Sequence, residues 1–137
     1  MSPHEVLPRA LEGGAQHIID PGTSGVIRPS NRLLTVVRFA AAATGNRDVA
    51  SPSSIGQMLL VNCAGAPTTS VVLRFGSVPG SNAGVYNTSG TYLTGAKAAV
   101  ASVTLDAVGE FAQFVSVEDG SGTFKWALVA GVGLAVA

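Results

Sequence analysis

Eight acidic side chains, two histidines and one cysteine carry most of the acid–base, metal-ligating and nucleophilic capacity of this chain. Acid–base catalysis needs two such groups converging in a water-poor site, commonly two carboxylates or a histidine with a carboxylate. Glu5, Glu12, Asp20, Asp48, Asp106, Glu110, Glu118 and Asp119 fall nearly all at predicted strand ends or turns, where an acid serves as a solvated cap or turn former. His17 and Asp20 sit in an extended segment at a spacing that points them to opposite faces. His4 has no partner nearby, and two histidines so placed do not assemble a zinc site of standard ligand spacing. Cys63 ends the apolar run Met58-Leu59-Leu60-Val61 and reads as a small buried hydrophobe, because no base or cation adjoins it to activate a thiol. As the lone cysteine it also excludes an internal disulfide. Neither a Gly-x-Ser-x-Gly nucleophile turn nor a phosphate-binding glycine motif is present. Gly22-Thr23-Ser24-Gly25 and Gly120-Ser121-Gly122 read as turns. The expectation is a chain with no catalytic residues, no cofactor and no metal.

Binding chemistry has more to work with. Trp126, Tyr86 and Tyr92 are the aromatics with a polar handle. Trp126 alternates with core positions and reads as buried. Tyr86 and Tyr92 fall with Asn87 in an irregular stretch, and form a candidate exposed patch suited to a glycan or to a subunit interface. Asn87-Thr88-Ser89 matches the N-glycosylation acceptor pattern, a match too common by chance to carry an argument.

The elements that position these residues follow from composition. Only 12% of the 137 residues are charged and 47% are apolar, against roughly 25% charged in an average soluble domain. Such a chain has little charge to spread over its exterior, and is expected to hide much of it against copies of itself or a larger assembly. The formal net charge of zero offers no basic field for phosphates, which argues against nucleic acid. The apolar run from Ala127 to Ala137 is eleven residues long, short of the ~20 that a spanning helix needs, so no membrane is expected. Met1-Ser2-Pro3-His4-Glu5 lacks the basic segment and apolar core of a secretory leader.

Seventeen glycines and seven prolines punctuate short runs rich in Val, Leu, Thr and Phe, the pattern of many short strands joined by turns. Period-two alternation predicts strands at 17–20, 33–39, 46–50, 57–63, 69–75, 99–106, 110–118 and 123–129. The segments 57–63 and 69–75 are expected to pair as a hairpin, as are 110–118 and 123–129 across Asp119-Gly120-Ser121-Gly122. The stretch 76–95 reads as a long loop with one or two brief strands. Residues 1–16, broken by Pro3, Pro8 and Gly13-Gly14, read as an N-terminal arm beside a single domain over 17–137. The fold class is all-β: an antiparallel β-sandwich or jelly roll of about eight short strands.

From about residue 17 onward the chain resembles small β-rich virion proteins of tailed-bacteriophage head modules. The pattern runs from Ile19-Asp20-Pro21-Gly22-Thr23-Ser24-Gly25-Val26-Ile27 through Asn46-Arg47-Asp48-Val49-Ala50-Ser51-Pro52 and Gly56-Gln57-Met58-Leu59-Leu60. It continues with Val71-Val72-Leu73 and Val103-Thr104-Leu105-Asp106-Ala107-Val108. It closes with Phe124-Lys125-Trp126-Ala127-Leu128-Val129 and Gly131-Val132-Gly133-Leu134. The resemblance implies a capsid decoration, or cement, protein made in the host cytoplasm and mounted on the outside of an icosahedral head. Such proteins are often homotrimers that bridge neighbouring major capsid protein subunits. On that reading the arm, through Pro3, Val6, Leu7, Pro8 and Leu11, contacts the shell or an adjacent subunit, and Leu134 in the apolar tail packs near the trimer axis or closes the last strand.

The alternative is an adhesin-like module from a phage fibre or spike that recognises a host glycan through Tyr86, Asn87 and Tyr92. An enzyme, which would need a pocket of convergent acids, and an unrelated cellular β-sandwich stand behind these two.

Overall fold

The computed structural model describes residues 15–29, 34–67, 70–79, 84–93, 101–120 and 122–137. Its strands are β1 (Ala15–Ile19), β2 (Gly25–Ile27), β3 (Leu34–Phe39), β4 (Gly45–Val49), β5 (Met58–Cys63) and β6 (Val71–Phe75). They continue as β7 (Val85–Tyr86), β8 (Tyr92–Leu93), β9 (Ala101–Leu105), β10 (Phe111–Glu118), β11 (Phe124–Val132) and β12 (Ala135–Val136). No helix occurs among the described residues. Two sheets result, one of seven strands in the order β1-β3-β5-β10-β11-β7-β8 and one of five in the order β12-β9-β6-β4-β2.

The sandwich is all-β as expected, but it is not antiparallel. From β1 to β6 successive strands alternate between the two sheets, so each lies beside the strand two before it and runs parallel to it. The pairs β5–β10, β10–β11, β6–β9, β9–β12 and β7–β8 are antiparallel. The expected hairpin of 57–63 with 69–75 is therefore a corner: β5 belongs to the seven-stranded sheet and β6 to the five-stranded one. Alternation along a strand reports only which face is buried, and it is the same whether the next strand pairs beside it or crosses to the opposite sheet. The hairpin of β10 with β11 forms as expected, with Gly120 and Gly122 in the positive-φ conformation its loop requires.

The described residues form twelve strands; beyond the eight expected segments and the brief strands expected within 76–95, they add β2 and β12, three and two residues long. Such pieces fall below the length at which alternation is readable. The brief strands β7 and β8 are those expected within the otherwise loop-like stretch 76–95. Residues 1–14, with the arm residues Pro3, Val6, Leu7, Pro8 and Leu11, lie outside the described residues; Ala15 and Gln16, assigned to the arm, belong to β1.

The core forms between the sheets from the inward-facing alternate residues. Val37, Phe39, Leu59, Val61, Ala112, Phe114 and Trp126 on one side meet Ile27, Val49, Val71, Leu73, Phe75, Val103 and Leu105 on the other. Phe75 and Phe114 touch across the layers with ring centroids 5.2 Å apart. Trp126 is buried as expected and donates its indole N–H to the Ala50 carbonyl at 2.9 Å, which leaves that polar atom satisfied. Cys63 is buried too, and burial first, with the Glu110 and Asp106 charges after it, pushes its thiol pKa up, away from reactivity.

Candidate interaction surface

The two outer faces of the sandwich differ in chemistry. On the five-stranded sheet the outward positions include Asn46, Asp48, Arg74, Ser102 and Thr104, with Val26 and Val72 among them. Arg74 Nε donates to Asp48 Oδ1 at 2.8 Å across the β4–β6 pair. This face is built for water.

The outer face of the seven-stranded sheet is not. Cross-strand register places Leu34, Val36, Met58, Leu60, Phe111, Val115, Val117 and Ala127 on it, all half-buried among one another. Ile19, 91% exposed, stands at its β1 edge, and Val132, 54% exposed, at the end of β11. Its polar residues lie mostly toward the perimeter: His17 and Arg38 near β1, Asn62 at the end of β5, and Lys125 beside β8, with Gln113 the exception on β10. All twelve described strands belong to the two sheets, so no described strand forms a further layer over this face. An antiparallel sheet with one solvated face normally reads apolar-in, polar-out; strands apolar on both faces are those of covered sheets.

Two concavities border this face. Near β1, His17, Ile19, Val36 and Arg38 help line a cavity of about 340 Å³. At the β10–β11–β7 side, Tyr86, Asn87, Val117, Glu118, Ala127 and Val129 help line one of about 410 Å³. A β-bulge opens the second: the register shifts between Gln113 and Phe114, leaving Val129 unpaired and 51% exposed.

The expected patch of Tyr86, Asn87 and Tyr92 is brought together here. The two tyrosine rings lie 4.7 Å apart, and Lys125 Nζ sits 4.4 Å from the Tyr92 centroid while ion-paired with Asp119. The Asp119 hydrogen bond, outweighing desolvation, raises the Lys125 pKa and keeps it charged. Asn87 is committed to its own turn, its Oδ1 accepting from Ser89 N and Thr91 N, each at 2.9 Å. Leu134 packs against the sandwich's own core just before β12, which pairs with β9; it thus closes the tail onto the five-stranded sheet.

Besides the Asp48–Arg74 and Asp119–Lys125 pairs, two further acid pairings escaped the sequence reading. Asp20 accepts from Arg47 Nε at 2.6 Å and Arg47 Nη2 at 3.0 Å, and Arg47 is 1% exposed under Phe39. Burial alone would raise the Asp20 pKa, but the Arg47 hydrogen bonds, the Gly22 N–H and the Arg47 charge overcome it and hold the carboxyl below its ordinary value. Nothing in the sequence signals a partner so far along the chain. Asp106 and Glu110 meet across the β9–β10 turn, where hydrogen bonding to Glu110 and the Glu110 charge raise the Asp106 pKa. Glu110 Oε1 accepts from the Asp106 and Ala107 N–H groups at 2.6 and 3.0 Å, so the pair staples a turn. Among the described residues no cluster of three metal-ligating side chains occurs. No protein-family model matches the chain and no curated protein matches it, so its own surfaces carry the functional argument.

Proposed function

We propose that this chain is a structural virion protein, a decoration subunit that binds the outside of an icosahedral phage head and stabilises contacts between major capsid protein subunits. The observation that carries the reading is the apolar outer face of the seven-stranded sheet beside a polar, ion-paired face on the other sheet. A subunit with one face to cover and one to leave wet suits a surface lattice, where many modest contacts add through avidity. The resemblance in the sequence supports the same role, with residues 1–14 reaching the shell and a homotrimer as the assembling unit. Coexpression with the major capsid protein of the same gene neighbourhood tests it. The protein should sediment with assembled shells in fixed stoichiometry; its recovery only in the soluble fraction would reject the role.

A second reading has its own observation. The tilted Tyr86–Tyr92 pair, with Tyr86 lining a cavity of about 410 Å³ beside Asn87 and Glu118, suits an adhesin-like module that packs a sugar ring on an aromatic face. Glycan-array binding lost on Tyr86→Ala would favour it; a blank array would remove it.

A further inference from the structure

One acid on this molecule has no partner in its own chain. Among the described residues, Asp20 and Asp48 are held by arginines, Asp119 by Lys125, and Asp106 and Glu110 by one another. Glu118, exposed at the end of β10, has neither an ion pair nor a side-chain hydrogen bond among them. It lines the cavity of about 410 Å³ together with Tyr86, Val117, Ala127 and Val129. That lining offers one carboxylate, one aromatic ring and several aliphatic side chains, and it contains no basic residue. We propose that the cavity binds an arginine side chain of the major capsid protein, the guanidinium between Glu118 and the Tyr86 ring and the methylene stem on Val117, Ala127 and Val129. The partner's identity rests on the decoration reading above; the chemistry of the site does not.

The molecule brackets a cation in this way twice elsewhere. Arg47 lies 5.5 Å from the Phe39 ring centroid while Asp20 accepts from its Nε and Nη2 at 2.6 and 3.0 Å. Lys125 lies 4.4 Å from the Tyr92 centroid while paired with Asp119. In each case the ring face attracts the cation and the carboxylate fixes its position. Tyr86 and Glu118 present the same two groups to a cavity open to a partner. A guanidinium suits them better than an ammonium, being planar, weakly hydrated, able to stack on a ring and matched to both carboxylate oxygens. Its aliphatic stem covers apolar surface at the same time. An anionic ligand would meet the Glu118 charge with no cation in the lining to offset it.

Acetyl-arginine amide, charged only at its guanidinium, is the probe, and acetyl-citrulline amide is its neutral isostere. Titrated to tens of millimolar into the isotope-labelled full chain, the arginine probe should shift the backbone amide resonances of 86–90, 117–118 and 127–129 saturably. Added salt should weaken the binding, because the carboxylate is exposed. Replacing the probe by its citrulline isostere, or the protein by Glu118→Gln, should weaken binding by about tenfold or more. Unchanged circular dichroism of Glu118→Gln then assigns the loss to the site rather than to the fold. Absence of a saturable shift, equal shifts from citrulline, or arginine binding indifferent to Glu118→Gln overturns the proposal. A methyl glycoside that shifts these amides where the arginine probe does not also overturns it, in favour of the adhesin-like module. Shell sedimentation separates the two claims. A chain that binds the probe through Glu118 but never sediments with shells keeps the site and rejects decoration; one that sediments with shells and ignores the probe does the reverse.

Discussion

At the scale of single residues, two ion pairs of similar appearance carry different energies. Arg47 is 1% exposed and Asp20 is its carboxylate partner, whereas Arg74 and Asp48 are 31% and 16% exposed on the outer face. Removing one member of a buried pair strands a charge, so Asp20→Ala should cost about 3 kcal/mol in chemical denaturation. Asp48→Ala leaves the more exposed arginine, Arg74, at the outer face where water can reach it, and should cost less, about 1 kcal/mol. The pH dependence has two signs. The Asp20 pKa, which burial pushes up and Arg47 more strongly pulls down, lies below its ordinary 3.8. Its contribution to stability is thus present above that value and lost as pH falls through the folded pKa. The Asp106 pKa is raised by hydrogen bonding to Glu110 and by its charge, so its contribution is present at low pH and lost as pH rises through the raised value. Thermal melts should accordingly show Asp106→Asn more stable than wild type near neutrality and Asp20→Asn less stable.

At the scale of elements, the corners between sheets are where the fold is decided. Gly65, in the β5–β6 corner, lies so close to the preceding corner that an added Cβ would clash with the Ala41 backbone nitrogen. The two corners are tied by Ala42 N–H to the Ala66 carbonyl at 3.0 Å and by Ala64 N–H to the Phe39 carbonyl at 2.9 Å. Gly65→Val should therefore force them apart and lower stability by about 1–3 kcal/mol, read as a fall in melting temperature. Leu134→Asp tests the closing element: with Leu134 on the core, the variant should lose stability as a folding defect. A change in assembly at unchanged melting temperature would place Leu134 at a subunit contact instead. Strands with clear alternation, such as β9 and β10, were legible because each alternate side chain meets either core or outside. Their partners were not. Register and sheet membership depend on which corner the backbone turns, and Ala64-Gly65-Ala66-Pro67 fits a hairpin or a crossing equally well.

For the whole molecule, the decoration reading predicts that the two ends of the chain act separately. Removing residues 2–14, which stops short of β1, should leave circular dichroism and melting unchanged while shell sedimentation is lost; retained sedimentation would assign shell binding to the sandwich itself. The low charge of the sequence raised the expectation that much of the exterior is covered. It could not say which part. Met58, Leu60, Phe111, Val115 and Val132 look like further core residues in the one-dimensional pattern, since a strand apolar on both sides has no polar face to name. By itself the sequence determined the all-β class, the inward residues of its longer strands, the burial of Trp126 and Cys63, and the β10–β11 hairpin, all through local alternation and turn chemistry. Only the tertiary structure decided the parallel winding between two sheets, the Asp20–Arg47 pair and the gathering of outward apolar residues into one face. Each of these joins residues far apart along the chain, and no local propensity encodes that distance.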